Sequence, residues 1–497
     1  MSKVGPSFGA GDPRDREHDA RDTRAKGETG EVRGGRVRRV APLVGLTARA
    51  VGEAALTAFR GRLADEPADE FHARTAERYA ELLGRSKGVL MKVGQMASFA
   101  TVRWAVPQEF QPIYQAALGR LRSEAPPMSP ELARAVLEGE LGERAEREFA
   151  EFDWEPFAAA SIGQVHAARL RDGRAVAVKL QYPGVAEAIR ADLKNAELLA
   201  TLLSLVVGGM FPRRSNLDFR GTAREIAIRI EEECDYRLEA GNQAEFAQRY
   251  RGHPFIHVPE VIGELCTGRV LTQELVQGRS WEQALTAEQG LRDQWAEAIH
   301  RFVYGSNCRL YLFNADPHPG NYVFHDDGSV SFLDFGSVKR LRPEQVEMII
   351  TIYRECLRGD VLGTWRASVE AGIWRSSDPV TPEEVFAYWW EDNVLVWAQK
   401  RFVATPSDVA RAIERRFSPT GPSANALRYC TMPSEYTFLA RVEIALASVI
   451  AWLRAGNDWR SFVAEYTEGA APVTEMGKRE RAFFEAQAAT PDRGRAG

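Results

Sequence analysis

Two carboxylates and an amide stand close together in the second half of the 497-residue chain. Asp316 precedes Asn321 by five residues, and Asp334 opens an Asp-Phe-Gly triplet after a short segment typical of a hairpin. Phosphoryl transfer requires Mg²⁺ held by an amide and a carboxylate, and another carboxylate that orients or deprotonates the attacking oxygen. These residues predict such a site, with Asp316 as the catalytic carboxylate and Asn321 and Asp334 as Mg²⁺ ligands. The alternative is a turn-forming loop before a buried strand.

Segments earlier in the chain favour the first interpretation. Val176–Lys179 reads Val-Ala-Val-Lys, the form of the strand that carries the phosphate-binding lysine of kinases. Upstream, a run of small residues overlays the glycine-rich phosphate loop of kinases, with alanine at the first two glycine positions. Backbone N–H groups of such a loop can approach phosphates, although alanine restricts φ more than glycine does. The residues predicted to cradle the nucleotide are Ala158, Ala159, Ala160, Ser161, Gly163 and Val165.

An acidic helix is expected to hold the lysine in place. In kinases the phosphate-binding lysine pairs with a glutamate from a helix. A helix is predicted from Leu217 to about Ala247, and Glu233 within it is assigned as the catalytic partner of Lys179. Asp235 and Glu239 are competing candidates, and an acidic run of this kind is also typical of a solvated helix face.

Further segments fit the same fold. Asp172-Gly173 between two alternating runs predicts a β-hairpin that leads into the lysine strand. The predicted strand Arg269–Leu275 ends in a connector, in which Glu274 and Val276 are expected to contact the adenine of a nucleotide. Beyond the Asp-Phe-Gly triplet the chain enters a predicted helix, Pro343–Arg358, without the long activation segment that holds a peptide substrate in protein kinases.

Composition limits the class of protein. With 44% hydrophobic and 27% charged residues, the chain is typical of globular proteins. Its net charge of −5 argues against general nucleic-acid binding. The five cysteines are scattered without a Cys-x-x-Cys pair, which indicates a reducing compartment and no structural zinc site. The sequence therefore predicts a cytoplasmic protein.

Two segments are candidates for peripheral contact with a membrane or lipid. The chain contains no run of 18 or more apolar residues, so no membrane span is predicted. Arg36–Phe59 combines a basic cluster with an apolar helix, which could lie on an anionic bilayer or pack on the main domain. Leu198–Phe211 is apolar nearly all round and is either buried or a membrane or partner contact.

Taken together, the motifs resemble those of the UbiB/AarF/ADCK family of atypical kinases over about residues 36–455. The family signatures present are Lys92-Val93-Gly94-Gln95 (its KxGQ), the alanine-rich loop at Ala158–Ser161, Glu233-Cys234-Asp235 (its ExD), Asn314–Asn321 (NADPHPGN) and Leu333–Gly336 (LDFG). Where family members often carry Leu-Gln-Asp before a Pro-Pro, this chain has Leu121-Arg122-Ser123. Many members in quinone pathways also carry C-terminal membrane spans, which the sequence does not predict here.

The resemblance implies a protein-kinase-like bilobal fold of the α+β class, with an N-terminal helical extension lying over the site. It also implies ATP and Mg²⁺ as cofactors, and ATPase or phosphotransfer activity tied to isoprenoid quinone synthesis at membranes. Lys179 would bind the phosphates, whereas Lys92 and Gln95 would cover the phosphate end of the nucleotide and restrict protein substrates. An otherwise unusual Lys and Gln in a helix could also simply reach solvent or cap a neighbouring helix.

The domain organisation and function follow as expectations. The predicted units are a disordered tail (1–35), a helical extension (36–140), a kinase-like N-lobe (141–276), a helical C-lobe (277–473) and a polar C-terminal tail that frays (474–497). The expected function is that of an ATP-dependent enzyme of this family. Two alternatives are a phosphotransferase of the aminoglycoside or choline type, which acts on small molecules, and a nucleotide-gated scaffold protein.

Overall fold

The computed structural model describes residues 127–160, 162–193, 228, 231–314, 317–390, 402–417, 421–433, 436 and 439–489. Several predictions concern positions outside these ranges, and they remain predictions: Lys92, Gln95, Ser161, Asp316, the tail 1–35, most of the extension 36–140, and the segments Arg36–Phe59 and Leu198–Phe211. No helix in the described part of the chain is long and apolar enough to cross a membrane.

The first half of the described chain is built around one antiparallel sheet. Its elements are helices α1 (Pro130–Leu141) and α2 (Glu143–Glu148), strands β1 (Phe149–Phe152), β2 (Ala158–Ala160), β3 (Gly163–Leu170) and β4 (Ala175–Gln181), helices α3 (Val185–Leu193) and α4 (Tyr236–Tyr250), and strands β5 (Ile256–His257) and β6 (Val270–Glu274). Strands β1, β3, β4 and β6 are neighbours in that order, and β2 pairs with β3. The hairpin predicted at Asp172-Gly173 joins β3 to β4, as expected.

Strand β4 shows how the sheet separates its core from its functional face. Val176, Val178 and Leu180 are fully buried in the apolar core of this half. Because successive side chains of a strand point to opposite faces, Lys179 is directed away from those core residues. Gln181, on the same side as Lys179, donates to the carbonyl of Cys234 at 3.1 Å, so this face meets the segment that leads into α4.

The second half is mainly helical. Its elements are helices α5 (Trp281–Leu285) and α6 (Gln289–Leu310), strands β7 (Leu312–Asn314), β8 (Tyr322–Phe324), β9 (Val330–Phe332) and β10 (Val338–Arg340), helices α7 (Pro343–Arg358), α8 (Val361–Glu370) and α9 (Pro382–Trp389), strand β11 (Phe402–Val403), helices α10 (Pro406–Phe417), α11 (Ala424–Tyr429) and α12 (Leu439–Leu453), strand β12 (Gly456–Asn457), and helices α13 (Trp459–Thr467) and α14 (Glu475–Ala489). The sheet-rich first half and helical second half confirm the predicted α+β class.

Helix α6 and two small sheets position the predicted catalytic segment. Trp295, Ile299 and Phe302 of α6 are buried in the core of the helical half. The helix ends at Leu310 and is capped by Tyr311, whose φ of 57° is left-handed, and the chain then enters β7 directly. Strand β7 pairs with β10, while β8 and β9 form an antiparallel hairpin on which β5 packs as a parallel edge strand. These pairings bracket the residues on either side of Asp316.

The C-terminal segment differs from its prediction. Residues 474–497 were expected to fray because they are polar, but Glu475–Ala489 form α14 and Glu480 is fully buried. Phe483 packs edge-on against His253, with ring centroids 4.8 Å apart, and Gln487 donates to the carbonyl of Arg249 at 3.0 Å. The expectation of a frayed tail is therefore wrong for these residues, since α14 is anchored by long-range contacts.

A buried ionic cluster explains how a polar helix can dock. Arg301 of α6 has no exposed surface, and its guanidinium reaches three carboxylates. It donates to Glu297 at 2.8 Å, to both oxygens of Glu465 at 2.8 and 3.0 Å, and to Glu480 at 3.0 Å. The fork geometry of arginine allows such multiple contacts within one plane. The cluster thus joins α6, α13 and α14.

Candidate active site

Lys179 lies at the centre of the candidate site. Its ammonium is 2.9 Å from each oxygen of Glu239 and 3.8 Å from an oxygen of Asp334. The side chains of Lys179 and Glu239 are 15% and 4% exposed, so the pair is screened from most solvent. One cation therefore lies between two carboxylates that come from a helix and from the Asp-Phe-Gly triplet.

The assignment of Glu233 as the partner of Lys179 is corrected, because the carboxylate bound to Lys179 is that of Glu239. The single helix predicted through this region is interrupted by a turn at Glu233 and Cys234. Asp235 then caps α4 by accepting a hydrogen bond from the N–H of Arg237 at 3.0 Å. Glu239 consequently stands in the first turn of the new helix, facing β4.

The electrostatics of this group depend on burial and on the excess of negative charge. Burial alone would lower the pKa of Lys179, but the carboxylates of Glu239 and Asp334 raise it above its ordinary value. Burial also raises the pKa of the Glu239 carboxyl to about 7, in opposition to the favourable effect of Lys179. Lys179 is therefore charged, and a further cation beside Asp334 would relieve the repulsion between the carboxylates.

The Asp-Phe-Gly turn is held by hydrogen bonds on several sides. The carboxylate of Asp334 accepts from the N–H of Gly336 at 3.0 Å, and its backbone carbonyl accepts from the amide of Asn314 at 2.9 Å. Phe335 is fully buried, and its ring centroid is 4.8 Å from that of Phe246 on α4. The side chain of Asp334 nevertheless remains 33% exposed, so its carboxylate is accessible to a cation.

Asn321 lies next to Asp334 along the β8–β9 hairpin. The N–H of Leu333 donates to the carbonyl of Asn321 at 2.9 Å, and Tyr322 is paired with Phe332. The two predicted Mg²⁺ ligands are therefore brought to the same end of the hairpin. Asp316 lies outside the described residues, but Asn314 and Pro317 on either side of it are described.

The residues present fit a magnesium ion. No group of three or more His, Cys, Asp or Glu side chains in the described ranges could hold a metal ion by itself. Mg²⁺ is usually bound through one or two carboxylates together with phosphate oxygens and water, rather than in an all-protein cage. A carboxylate and an amide at Asp334 and Asn321, next to a surplus of negative charge, provide a donor set of that kind.

The described part of the alanine-rich loop, Ala158–Ala160, is paired with the strand next to that of Lys179. Ala158, Ala159 and Ala160 form β2 and pair with Val165, Gln164 and Gly163 of β3. Val165 is in turn the cross-strand neighbour of Lys179 on β4. The loop, Val165 and Lys179 are thus brought together as predicted, whereas nucleotide binding by the loop remains a prediction.

Gly163 has a steric role that its place in the motif did not indicate. A Cβ atom at this position would lie 2.2 Å from the carbonyl oxygen of Leu180 and 2.8 Å from the hydroxyl of Tyr236. Contacts of that length are not tolerated, so a glycine is needed for β3 to approach β4 and α4 this closely. This packing requirement holds whether or not a phosphate also approaches the loop.

The predicted adenine contacts lie where the sheet gives way to the connector. Glu274 pairs with Val176 at the end of β6, and its carboxylate is 3.2 Å from Nε2 of His257. The N–H of Leu275 donates to the carbonyl of Ala175, and half-buried Val276 follows directly. The structure therefore places Glu274 and Val276 at the sheet edge, and their contact with adenine stays a prediction.

Two residues of the site were not assigned from sequence. The ring of Tyr236 lies 4.9 Å from the Lys179 ammonium, close enough for a cation–π contact. Asn242 donates to the carbonyl of Phe335 at 3.0 Å. Glu239 and Asn242 are three residues apart and therefore share a helix face, a spacing that could have pointed to both.

A lysine held by a helical glutamate beneath a tight hairpin, opposite an Asp-Phe-Gly aspartate, defines a protein-kinase-like domain. Residues 120–367 match the family model described as the ABC1 atypical kinase-like domain. The chain belongs to this family of atypical kinases, the family that its motifs resemble. Membership confirms the protein-kinase-like α+β fold expected from sequence.

Comparison with individual proteins agrees with this membership. Over 289 residues the chain is 35% identical to the rat protein named mitochondrial atypical kinase COQ8B. The matched region covers 57% of this chain and 52% of the rat protein. It is 31% identical over 301 residues to the yeast protein named mitochondrial atypical kinase COQ8. That match covers 60% of this chain and 57% of the yeast protein. The chain thus spans about half the length of these curated relatives.

A solved structure extends the similarity beyond the family model. The Mycobacterium tuberculosis protein Rv3197, described in complex with erythromycin, is 30% identical to this chain with a TM-score of 0.57. The match covers 80% of this chain and 98% of that one. The likeness therefore includes much of the helical half as well as the sheet.

Proposed function

We propose that the protein is an ATP-dependent atypical kinase or ATPase of the UbiB type, with Mg²⁺ as its metal. The observation that carries this proposal is the placement of Lys179 between Glu239 and Asp334, with Asn321 at the adjacent end of the hairpin. That arrangement supports the proposal because phosphoryl transfer requires a cation for the phosphates and oxygen ligands for a metal ion.

Each group has a distinct part in the proposed reaction. Glu239 orients the Lys179 ammonium towards the phosphates, and Asp334 and Asn321 would hold Mg²⁺, which neutralises charge on the transferring phosphoryl group when bound. We assign the role of catalytic carboxylate to Asp316, and cover of the phosphate end to Lys92 and Gln95 from the extension 36–140. These roles follow the family motifs.

We further propose that the protein acts in isoprenoid quinone or lipid metabolism at a membrane surface, from the cytoplasmic side. This part rests on the family resemblance and on the two candidate contact segments, Arg36–Phe59 and Leu198–Phe211. A basic cluster next to an apolar helix is attracted to anionic lipids by charge and retained by burial of its apolar face. Anionic vesicles should therefore stimulate turnover.

The short connection after the Asp-Phe-Gly triplet favours a small acceptor or water over a peptide. Residues 337–342 join Gly336 to α7, and they include β10, which pairs with β7. This leaves no long segment at this point of the chain on which an extended peptide could lie. A small-molecule phosphotransferase is therefore the second candidate, and a screen of soluble alcohol acceptors separates it from a lipid-linked ATPase.

Asp334→Asn is expected to reduce Mg²⁺-dependent ATP turnover by roughly 100-fold, because it removes the charged ligand of the metal. ATP hydrolysis by purified protein, with and without anionic vesicles, measures this effect. Asp326→Asn is the matched control, since Asp326 is 78% exposed on the neighbouring hairpin turn. Equal turnover by folded Asp334→Asn and wild type would contradict the proposal, and retained cellular function without turnover would support the scaffold alternative.

A further inference from the structure

Helix α4 contacts the Asp-Phe-Gly region through three consecutive turns of one face. Glu239, Asn242 and Glu245 are spaced at intervals of three residues and therefore share that face. Glu239 binds Lys179, Asn242 binds the carbonyl of Phe335, and Glu245 binds Arg340 on β10. Of these contacts, the middle one reaches the triplet itself.

The orientation of the Asn242 amide is fixed from both ends. Its oxygen accepts a hydrogen bond from Arg340 at 3.2 Å, while its nitrogen donates to the carbonyl oxygen of Phe335 at 3.0 Å. An amide has distinct donor and acceptor ends, and this pairing uses each correctly because arginine can only donate and a carbonyl can only accept. Arg340 and Phe335 together therefore define one orientation of the side chain.

The peptide unit that Asn242 holds also holds the carboxylate of Asp334. The carbonyl of Phe335 and the N–H of Gly336 belong to the same planar peptide group and point in opposite directions. Asn242 binds the first, and Asp334 Oδ1 accepts from the second at 3.0 Å. Fixing the direction of the carbonyl thus fixes the direction of the N–H, and with it the rotamer of Asp334.

We propose that Asn242 is a positioning residue that sets the Asp334 carboxylate for Mg²⁺ through the Phe335–Gly336 peptide group. The proposal rests on the proposed function for the identity of the metal. Loss of the Asn242 donor frees this peptide group to rotate, which removes the N–H from Asp334 Oδ1 and lets the carboxylate turn towards Lys179. Helix α4 thereby governs both the phosphate-binding lysine and the metal-binding aspartate.

Two variants test the role of the donor. Asn242→Leu removes the donor without adding charge, and Asn242→Asp replaces it with an oxygen that faces the Phe335 carbonyl. Each is expected to raise the Mg²⁺ concentration for half-maximal ATP binding about 10-fold, the scale for loss of an outer-sphere contact. On charge alone Asn242→Asp would strengthen Mg²⁺ binding, so weaker binding in both variants identifies the lost hydrogen bond.

The matched control is Gln248→Glu, an amide-to-carboxylate change at an exposed position of the same helix. It should leave the Mg²⁺ requirement unchanged. Binding of ATP in EDTA should change much less than the Mg²⁺ requirement in the two Asn242 variants, because the Lys179–Glu239 bond is retained, and it should not change in Gln248→Glu. The proposal would be overturned if the folded Asn242 variants kept the Mg²⁺ requirement of wild type. The same holds if their thermal stability fell while the Mg²⁺ requirement stayed unchanged.

Hydrogen exchange in the nucleotide-free protein separates this proposal from the proposed function. Exchange of the Gly336 N–H should be at least 10-fold faster in Asn242→Leu than in wild type and Gln248→Glu, because its bond to Asp334 is released. If wild type shows no Mg²⁺-dependent ATP binding, the proposed function fails while this measurement still decides the coupling. Unchanged protection of the Gly336 N–H in Asn242→Leu would overturn the proposed coupling between Asn242 and Asp334.

Discussion

Glu239→Gln is expected to lower Mg²⁺-dependent ATP turnover by about 100-fold, the scale on which loss of one preorganised electrostatic contact acts in a catalytic site. The variant keeps the size of the side chain but removes the charge that holds the Lys179 ammonium at 2.9 Å. Lys179 would then move towards Asp334, whose carboxylate is already 3.8 Å away. Both the phosphate contact and the metal site would be lost from one substitution, so kcat should fall and KM for ATP should rise.

Steady-state kinetics at saturating Mg²⁺ measure this effect. Glu260→Gln is the control, because the half-exposed Glu260 side chain pairs with Arg251 and makes no bond to Lys179 or Asp334. It should retain the turnover of wild type. A folded Glu239→Gln protein with unchanged kinetics would mean that the Lys179–Glu239 bond has no part in activity.

Arg301→Met is expected to reduce the free energy of unfolding by about 3–5 kcal/mol, the cost of leaving buried charges without their partner. Methionine fills similar space, but Glu297, Glu465 and Glu480 would then face one another without the guanidinium between them. Because these carboxylates come from α6, α13 and α14, the first consequence should be release of α14 from the helical half. Thermal unfolding and limited proteolysis after residue 470 measure the two effects.

An exposed arginine provides the comparison. Arg251 pairs with Glu260 at 2.9 Å, but both side chains are more than half exposed. Surface pairs of this kind contribute about 0–1 kcal/mol, so Arg251→Met should change stability little. Similar decreases in the free energy of unfolding for Arg301→Met and Arg251→Met would show that the Arg301 cluster does not anchor α14.

The parts of the site that lie within one local segment could be predicted from sequence. Asn321 and Asp334 are brought together by one hairpin, and the β3–β4 turn at Asp172-Gly173 places Lys179 beneath the alanine-rich loop. Residue type and spacing are sufficient in such cases because the chain between the residues has one favoured conformation. The helix Pro343–Arg358 was predictable on the same grounds.

The choice between Glu233 and Glu239 was not local in this sense. It depends on where α4 begins, and helix ends are uncertain by one or two residues even when the element itself is evident. The cap at Asp235 restarts the helix and rotates Glu239 towards β4. Asp235 is also part of the acidic run that suggested Glu233. The residue whose cap brings Glu239 to Lys179 was therefore itself a candidate partner of Lys179.

Helix α14 is a second feature that could not be predicted from the sequence. Its docking depends on Arg301, which is 179 positions from Glu480 in the sequence. A polar segment with weak apolar periodicity is normally exposed, and no nearby residue indicates that one of its glutamates is buried. Pairing of charges across such a distance becomes visible only when the fold brings α6 and α14 together.

The most direct test of the account is a calorimetric titration of ATP into the purified protein, with Mg²⁺ and again with EDTA. We expect saturable binding to one site, weakened at least 10-fold by EDTA, and by Lys179→Met in the presence of Mg²⁺, because the phosphates lose their cations. Absence of binding in Mg²⁺, or equal affinity of Lys179→Met and wild type, would contradict a nucleotide site between Lys179 and Asp334.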